Sequence, residues 1–228
     1  MRQSPSKSLS GNPDIRTPQL EHHRRCRKRE KAAYRRQIQT GRSAPSLLPK
    51  YRGPTPIESA IKNGDKETGI SIIQLNARMD AGPIYRQVKH ALNSKETKLD
   101  LYNTLGKIGA NEIIKTLPGI LNESILPKDQ DESKASYCSL LSKDDSLIQP
   151  HQMIAQQIER VIRAHLDYPK TKLPFLQNNL IAKEPSESTI ACKDDTLLSI
   201  DEIIAPSGKH MKIKDYLNGI RNKRTINN

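Results

Sequence analysis

Residues 70–92 read ISIIQLNARMDAGPIYRQVKHAL, and the fold follows from this stretch. ISIIQL at 70–75 is β-branched and continuous, the composition of a strand covered on both faces. MDAGPIY at 79–85 places Gly and Pro where a turn needs them, and YRQVKHAL at 85–92 alternates as a second strand does. Downstream, residues 99–121 show helical spacing in Leu101, Leu105, Ile108, Ile113, Ile114 and Leu117, closed by Pro118-Gly119. Upstream, PTPIESAIKNG at 54–64 opens on prolines suited to a first helical turn and stops in Asn-Gly. Strand, turn, strand and long helix in that order suit the second half of an α/β domain.

Further along, KDQDESKAS at 128–136 reads as a polar linker. QMIAQQIERVIRAH at 152–165 is an amphipathic helix, with Ile154, Ile158, Val161 and Ile162 on one face. LIAKE (180–184), STIAC (188–192) and TLLSIDEI (196–203) are short alternating segments of a small antiparallel β-domain. IKDYLNG at 213–219 predicts a last short helix stopped by Gly219, followed by a basic tail.

Composition bounds the rest. The 228 residues are 34% hydrophobic and only 4% aromatic, so the core must come from Ile, Leu and Val. The net charge is +13, and residues 1–42 hold 12 Lys and Arg against 3 Asp and Glu, hence +9 of it. That first fifth has no useful apolar period and reads as a disordered basic arm, either a solvated tail or a nucleic-acid contact through its 24–36 cluster. Three cysteines far apart in sequence provide neither a disulfide framework nor a cysteine-built zinc site, which points to a reducing, cytoplasmic setting. No apolar run is long enough for a membrane helix.

PSLLPKYRG at 45–53, then PTPIESAI, then NGDKETGISIIQLNARMDAGPIY, resembles the active-site half of the folate-dependent formyltransferases. ASYCSLLSKDDSLI, IERVIRAHLDYP, STIACKDDTLLSIDEI and GKHMKIKDYLNG resemble the C-terminal domain of the methionyl-tRNA formyltransferase family, so that the series runs over about 45–220. The resemblance implies the C-terminal half of a Rossmann-like domain at 45–127, a linker at 128–135, a small oligonucleotide-binding-type β-barrel at 136–221 and a tail at 222–228. It also implies formyl transfer from 10-formyltetrahydrofolate to the amino group of initiator methionyl-tRNA, by a monomer without metal or membrane attachment.

By the same resemblance, Ser46, Leu47, Leu48 and Pro49 line the folate site, and Asp80 is the catalytic aspartate. A Leu-Leu pair held by Pro makes an apolar wall of fixed shape, although an ordinary buried turn would read alike. A carboxylate can relay the proton that an attacking amine must lose, although Asp also caps Gly-containing turns. Arg52, Arg160, Arg163, Lys170 and Lys172 are candidates for tRNA phosphates or for a solubilising face. The family reads Asn-x-His-Pro-Ser-Leu-Leu-Pro; here Arg42 and Ala44 stand at the Asn and His positions. Ala44 can neither donate to an oxyanion nor exchange a proton. Because the match starts abruptly at Pro45, residues 1–44 are expected to be the product of a truncated or shifted reading frame, and the chain is expected to transfer formyl poorly. The alternatives are a non-catalytic RNA-binding remnant, a formyltransferase acting on another amine such as an amino sugar, and a poorly folding fragment.

Overall fold

The computed structural model describes residues 41–172, 189–205 and 207–226. The 1–40 part of the basic arm and the LIAKE segment lie outside these residues.

Three strands form the first sheet in the order β1 (Arg42–Ala44), β2 (Glu67–Ile73), β3 (Ile84–Ala91). Both pairings are antiparallel, unlike the parallel sheet implied by a Rossmann-like half-domain. The connection explains the direction: a ten-residue loop joins β2 to β3, whereas parallel neighbours need a longer crossover. β2 is buried from Thr68 through Ile73 because it is the central strand, which is why its sequence is continuous rather than alternating. Opposite the Ile72–Ile73 step, β3 carries one extra residue, Tyr85, a bulge at its loop end. Arg42–Ala44, assigned to the arm from sequence, pair with β2.

Helix α1 (Pro56–Asn63) starts on Pro56 and ends at Gly64, whose left-handed φ of 66° closes the helix through its N–H on the Ile61 carbonyl. Helix α2 (Lys98–Leu121) carries a capping box in which Thr97 and Asp100 satisfy each other's backbone N–H. It runs past Pro118-Gly119, so that pair does not end it. Its buried stripe is Leu101, Leu105, Gly109, Glu112, Thr116 and Ile120, while Ile114, expected inside, is 71% exposed. The stripe tolerates polar residues because Arg86 and Lys115 pair with Glu112, and Thr116 donates to the Glu112 carbonyl.

Ile57, Ile61, Ile70, Ile72, Leu101, Leu105 and Ile120 pack together with Ala164 of helix α3 (Ala155–Ala164). The same helix gives Ile158 and Val161 to a second cluster with Ile148, Cys192, Leu198, Ile200 and Ile213. One amphipathic helix therefore closes two cores. Ile162, expected on its apolar face, is exposed instead.

The second cluster is roofed by two antiparallel ribbons, β4 (Thr189–Ala191) with β5 (Leu197–Ser199), and β6 (Glu202–Ile204) with β7 (His210–Lys212). Among the described residues these remain separate two-stranded sheets rather than a closed barrel. Helix α4 (Ile213–Ile226) continues through Gly219, the expected stop. A helical glycine costs only about 1 kcal/mol relative to Ala, too little to end a helix on its own.

Candidate active site

The bend Ser46-Leu47-Leu48-Pro49 follows β1 directly and lies against the middle of the sheet. Register sets its neighbours: Ala44 is opposite Ser71, and Ser71 is opposite Gln87, in one row across the three strands. Ser71 is fully buried, and its hydroxyl organises the bend. It donates to the Ser46 carbonyl at 2.6 Å and accepts from the Leu48 N–H at 3.1 Å. Gln87 Nε2 reaches both Ser71 Oγ at 2.9 Å and the Leu48 carbonyl at 2.6 Å. Leu48 packs with Ala44 and Ile73, whereas Leu47 and Pro49 are half-buried. Ser46 Oγ is buried without a hydrogen-bond partner, which leaves a polar atom at the wall where a ligand group could bond.

Beyond the bend, the chain returns to the acid. Gly53 has φ +130°, and a Cβ there would meet the Cys138 carbonyl at 2.3 Å. Only glycine allows this approach, which turns the Gly53 N–H onto Asp80 Oδ2 at 2.9 Å. Asp80 is 8% exposed and has φ +51°, a strained geometry for a residue with a Cβ. Its other oxygen, Oδ1, is buried and makes no hydrogen bond, with Arg42 Nη1 3.7 Å away. Arg42 reaches it because β1 pairs Arg42 with Ile73, the last residue before the loop that carries Asp80. The Arg42 side chain is otherwise 58% exposed.

The polar linker is part of this structure rather than a free tether. Lys128 pairs with Ile84 through reciprocal backbone bonds of 2.7 and 2.8 Å. Ser136 N–H donates to the Pro49 carbonyl, and its own carbonyl and hydroxyl accept the N–H groups of Arg52 and Tyr51. Segment 128–138 thus clasps the strand that follows Asp80 and the chain that follows the bend.

The five cations expected at tRNA phosphates divide. Arg52 is 0% exposed and points inward, engaging Glu132 in two bonds of 2.9 and 3.0 Å, with Gln130 and Tyr137 taking its other N–H groups. The Arg52 guanidinium, assisted by Arg78, holds the Glu132 carboxyl below its usual range. A buried, saturated guanidinium cannot meet a phosphate, so the role expected for Arg52 is corrected to a structural one. Arg163 is tied to Glu159 and to the Glu96 carbonyl. Arg160 rests its guanidinium on Gly64, at the carboxyl end of α1 where the helix dipole favours a cation. Lys170 and Lys172 are exposed.

Sequence reasoning missed Ser71, Gln87, Gln130 and Ser136. Ser71 left one signal, a lone small polar residue inside an apolar strand run; the others left none. Among the described residues no group of three or more His, Cys, Asp or Glu lies close enough to hold a metal ion, and no helix is long and apolar enough to cross a membrane.

A formyl transferase family model matches residues 44–117. The methionyl-tRNA formyltransferase of Lactobacillus johnsonii is 32% identical over 200 residues, covering 79% of this chain and 63% of that protein. That of Roseiflexus sp. is 42% identical over 125 residues, 55% of this chain and 38% of the relative. The chain thus spans about three-fifths of the first of these two relatives. Among solved structures, WlaRD, a sugar 3N-formyl transferase, is 27% identical with a TM-score of 0.50 over 55% of this chain and 46% of that one. The N-formyltransferase of Helicobacter canadensis, in complex with folinic acid and dTDP-3-aminofucose, shares the fold with a TM-score of 0.51, at 24% identity over the same shares of the two chains. The bend, the acid and strands β2 and β3 lie within the residues matched by the formyl transferase model, and over them this chain is similar to the formyl transferases.

Proposed function

We propose that the chain binds 10-formyltetrahydrofolate at the 46–49 bend and transfers its formyl group to the amino group of initiator methionyl-tRNA, at a rate depressed by the residues at 42 and 44. The observation that carries this reading is the Asp80–Gly53 bond, which brings a buried carboxylate to the chain leaving the bend from 27 residues away. The half-buried Leu47 and Pro49 present apolar surface for a pterin or benzoyl ring, and the unpartnered Ser46 hydroxyl offers a polar contact beside it.

In the transfer, the neutral amine attacks the formyl carbon and forms a C–N bond. The carbonyl electrons move to oxygen and return as the bond to the folate nitrogen breaks. The amine loses one proton and the departing folate nitrogen gains one, so the exchange balances. Asp80 Oδ1, buried and without a hydrogen bond, is the free acceptor for the amine's proton. Arg42 supplies a cation beside it but no general acid, and Ala44 supplies nothing to the oxyanion. Loss of such a group slows transfer by about 10²–10⁴-fold.

An amino-sugar acceptor is a second reading, supported by the likeness to WlaRD. Formylation of charged initiator tRNA by the purified chain, with Asp80→Asn as control and a nucleotide-linked amino sugar as competing acceptor, tests both. Slow formylation of the tRNA that Asp80→Asn abolishes supports the proposal. Transfer to the sugar alone overturns the acceptor, and equal traces in chain and control overturn the role of Asp80.

A further inference from the structure

Gln130 lies in a stretch that composition marks only as linker, yet it connects two parts of the site. Its Nε2 donates to the Asp80 carbonyl at 2.8 Å and to the Gly82 carbonyl at 2.7 Å. Its Oε1 accepts from Arg52 Nε at 3.0 Å and Nη2 at 2.7 Å. The amide has one orientation only: a guanidinium has no acceptor, so the atom facing Arg52 is oxygen, and the NH₂ must face the two carbonyls. Arg52 is fixed in turn by Glu132 and Tyr137.

Asp80 needs such support. A left-handed φ on a residue with a Cβ has a cost, smaller for Asp than for most, that surrounding contacts offset. The Gly53 N–H fixes the carboxylate end of the residue, and Gln130 fixes the backbone end. We propose that Gln130, locked by Arg52, is a positioning residue that holds the Asp80 backbone so that its carboxylate meets Gly53 through Oδ2 and keeps Oδ1 free for the substrate. This rests on the reading of Asp80 as the reacting carboxylate, but it concerns a geometry that can be measured without turnover. It also makes the connector to the second core part of the site.

The test follows the Gly53 amide in ¹⁵N-labelled full-length chain by NMR. Because that N–H donates to Asp80, its shift moves as the carboxylate ionises, and Asp80→Asn identifies the response by removing it. In Gln130→Leu the expected result is a chain that still unfolds cooperatively but whose Gly53 response falls severalfold. Where that variant does not fold, Arg52→Lys serves instead, since a single ammonium cannot bracket Gln130 and Glu132 together. A Gly53 response of unchanged amplitude and midpoint in the folded variant overturns the proposal; general loss of stability would not remove it selectively. Displacement of a catalytic group by about 1 Å costs on the order of 10²-fold in rate, so formyl transfer by Gln130→Leu should drop with the donor KM unchanged. A chain in which Gly53 responds as expected but no variant alters transfer would overturn the catalytic reading of Asp80 and leave its positioning by Gln130 standing.

Discussion

Replacing Ser71 with Ala removes one oxygen, yet that oxygen completes three hydrogen bonds in a fully buried place. Two groups are orphaned by the change: the Leu48 N–H and the Ser46 carbonyl each lose the side-chain partner that holds the bend on the strand. Gln87 Nε2 keeps the Leu48 carbonyl and is only half-deprived. A buried polar group left unsatisfied costs about 1–3 kcal/mol, so two of them place the loss at about 2–6 kcal/mol. The informative comparison is Thr116→Ala. That hydroxyl is as deeply buried, but it donates to a helix carbonyl, Glu112 O, that lies within hydrogen-bond reach of its own i+4 N–H. Its loss should cost under about 1 kcal/mol. Urea unfolding of both variants at equal pH and protein concentration measures the difference through the midpoints at constant m-value. Equal losses in the two variants would show that the bend is not held by Ser71 and would refute the account of how it is fixed.

Three further outcomes are expected. His165 is buried with neither ring nitrogen bonded, and burial, aided by Lys62 and Lys98 and opposed by Asp145, pushes its pKa from 6.5 down to about 4; the folded ring stays neutral while the unfolded chain takes up a proton, so stability present above pH 6.5 falls as pH drops toward 4, by on the order of 3 kcal/mol in full, and His165→Leu should flatten that part of the pH–urea-midpoint curve. Gly64→Ala puts a Cβ on a left-handed residue and 2.2 Å from the Arg160 guanidinium carbon, so it should cost over about 1 kcal/mol by thermal unfolding, and Arg160→Ala in the same chain should recover only the steric part. Ala44→His should raise formyl transfer by at least about tenfold while lowering stability by about 1–3 kcal/mol, because position 44 is packed against Leu48 and Ile73; a radiolabelled formylation assay beside a melting curve reads both.

What could be read from the sequence was what is periodic and local. The run at 70–75, the Gly-Pro turn and the alternation at 85–92 became β2, its loop and β3 to within a few residues, because strand burial imprints a short-range pattern. The helices at 98–121 and 155–164 were legible for the same reason. Illegible features depend on partners far along the chain. Arg52 looks like a surface cation until Glu132, 80 residues later, folds onto it. Glu112 and Thr116 look like a polar face of α2 until Arg86 and a helix carbonyl satisfy them, and this rotated the buried stripe away from Ile114. Strand direction was misjudged because a buried strand has the same composition in parallel and antiparallel sheets; only the connection length distinguishes them. For the site, the bend and the acid were visible as residue types, whereas the groups that aim them were not.

The register separates scaffold from chemistry. Position 44 lies in the same cross-strand row as Ser71 and Gln87, and position 42 is opposite the strand end that launches the Asp80 loop. Side chains at those two positions can therefore change without touching a bond that holds the site: the bend uses Ser71, Gln87 and Ser136, and the acid uses Gly53 and Gln130. Ala44 fills its place with a methyl group against Leu48 and Ile73 and leaves no polar atom unpaired. Arg42 sets its charge beside Asp80 while remaining largely in solvent, where an ion pair at 3.7 Å contributes at most about 1 kcal/mol. Neither side chain gives the frame a reason to unfold. If the proposed function holds, affinity for the donor and rate of transfer should thus part company in this chain, because the bend and the carboxylate are held by Ser71, Gln87, Gly53 and Gln130, whereas Ala44 offers nothing to an oxyanion.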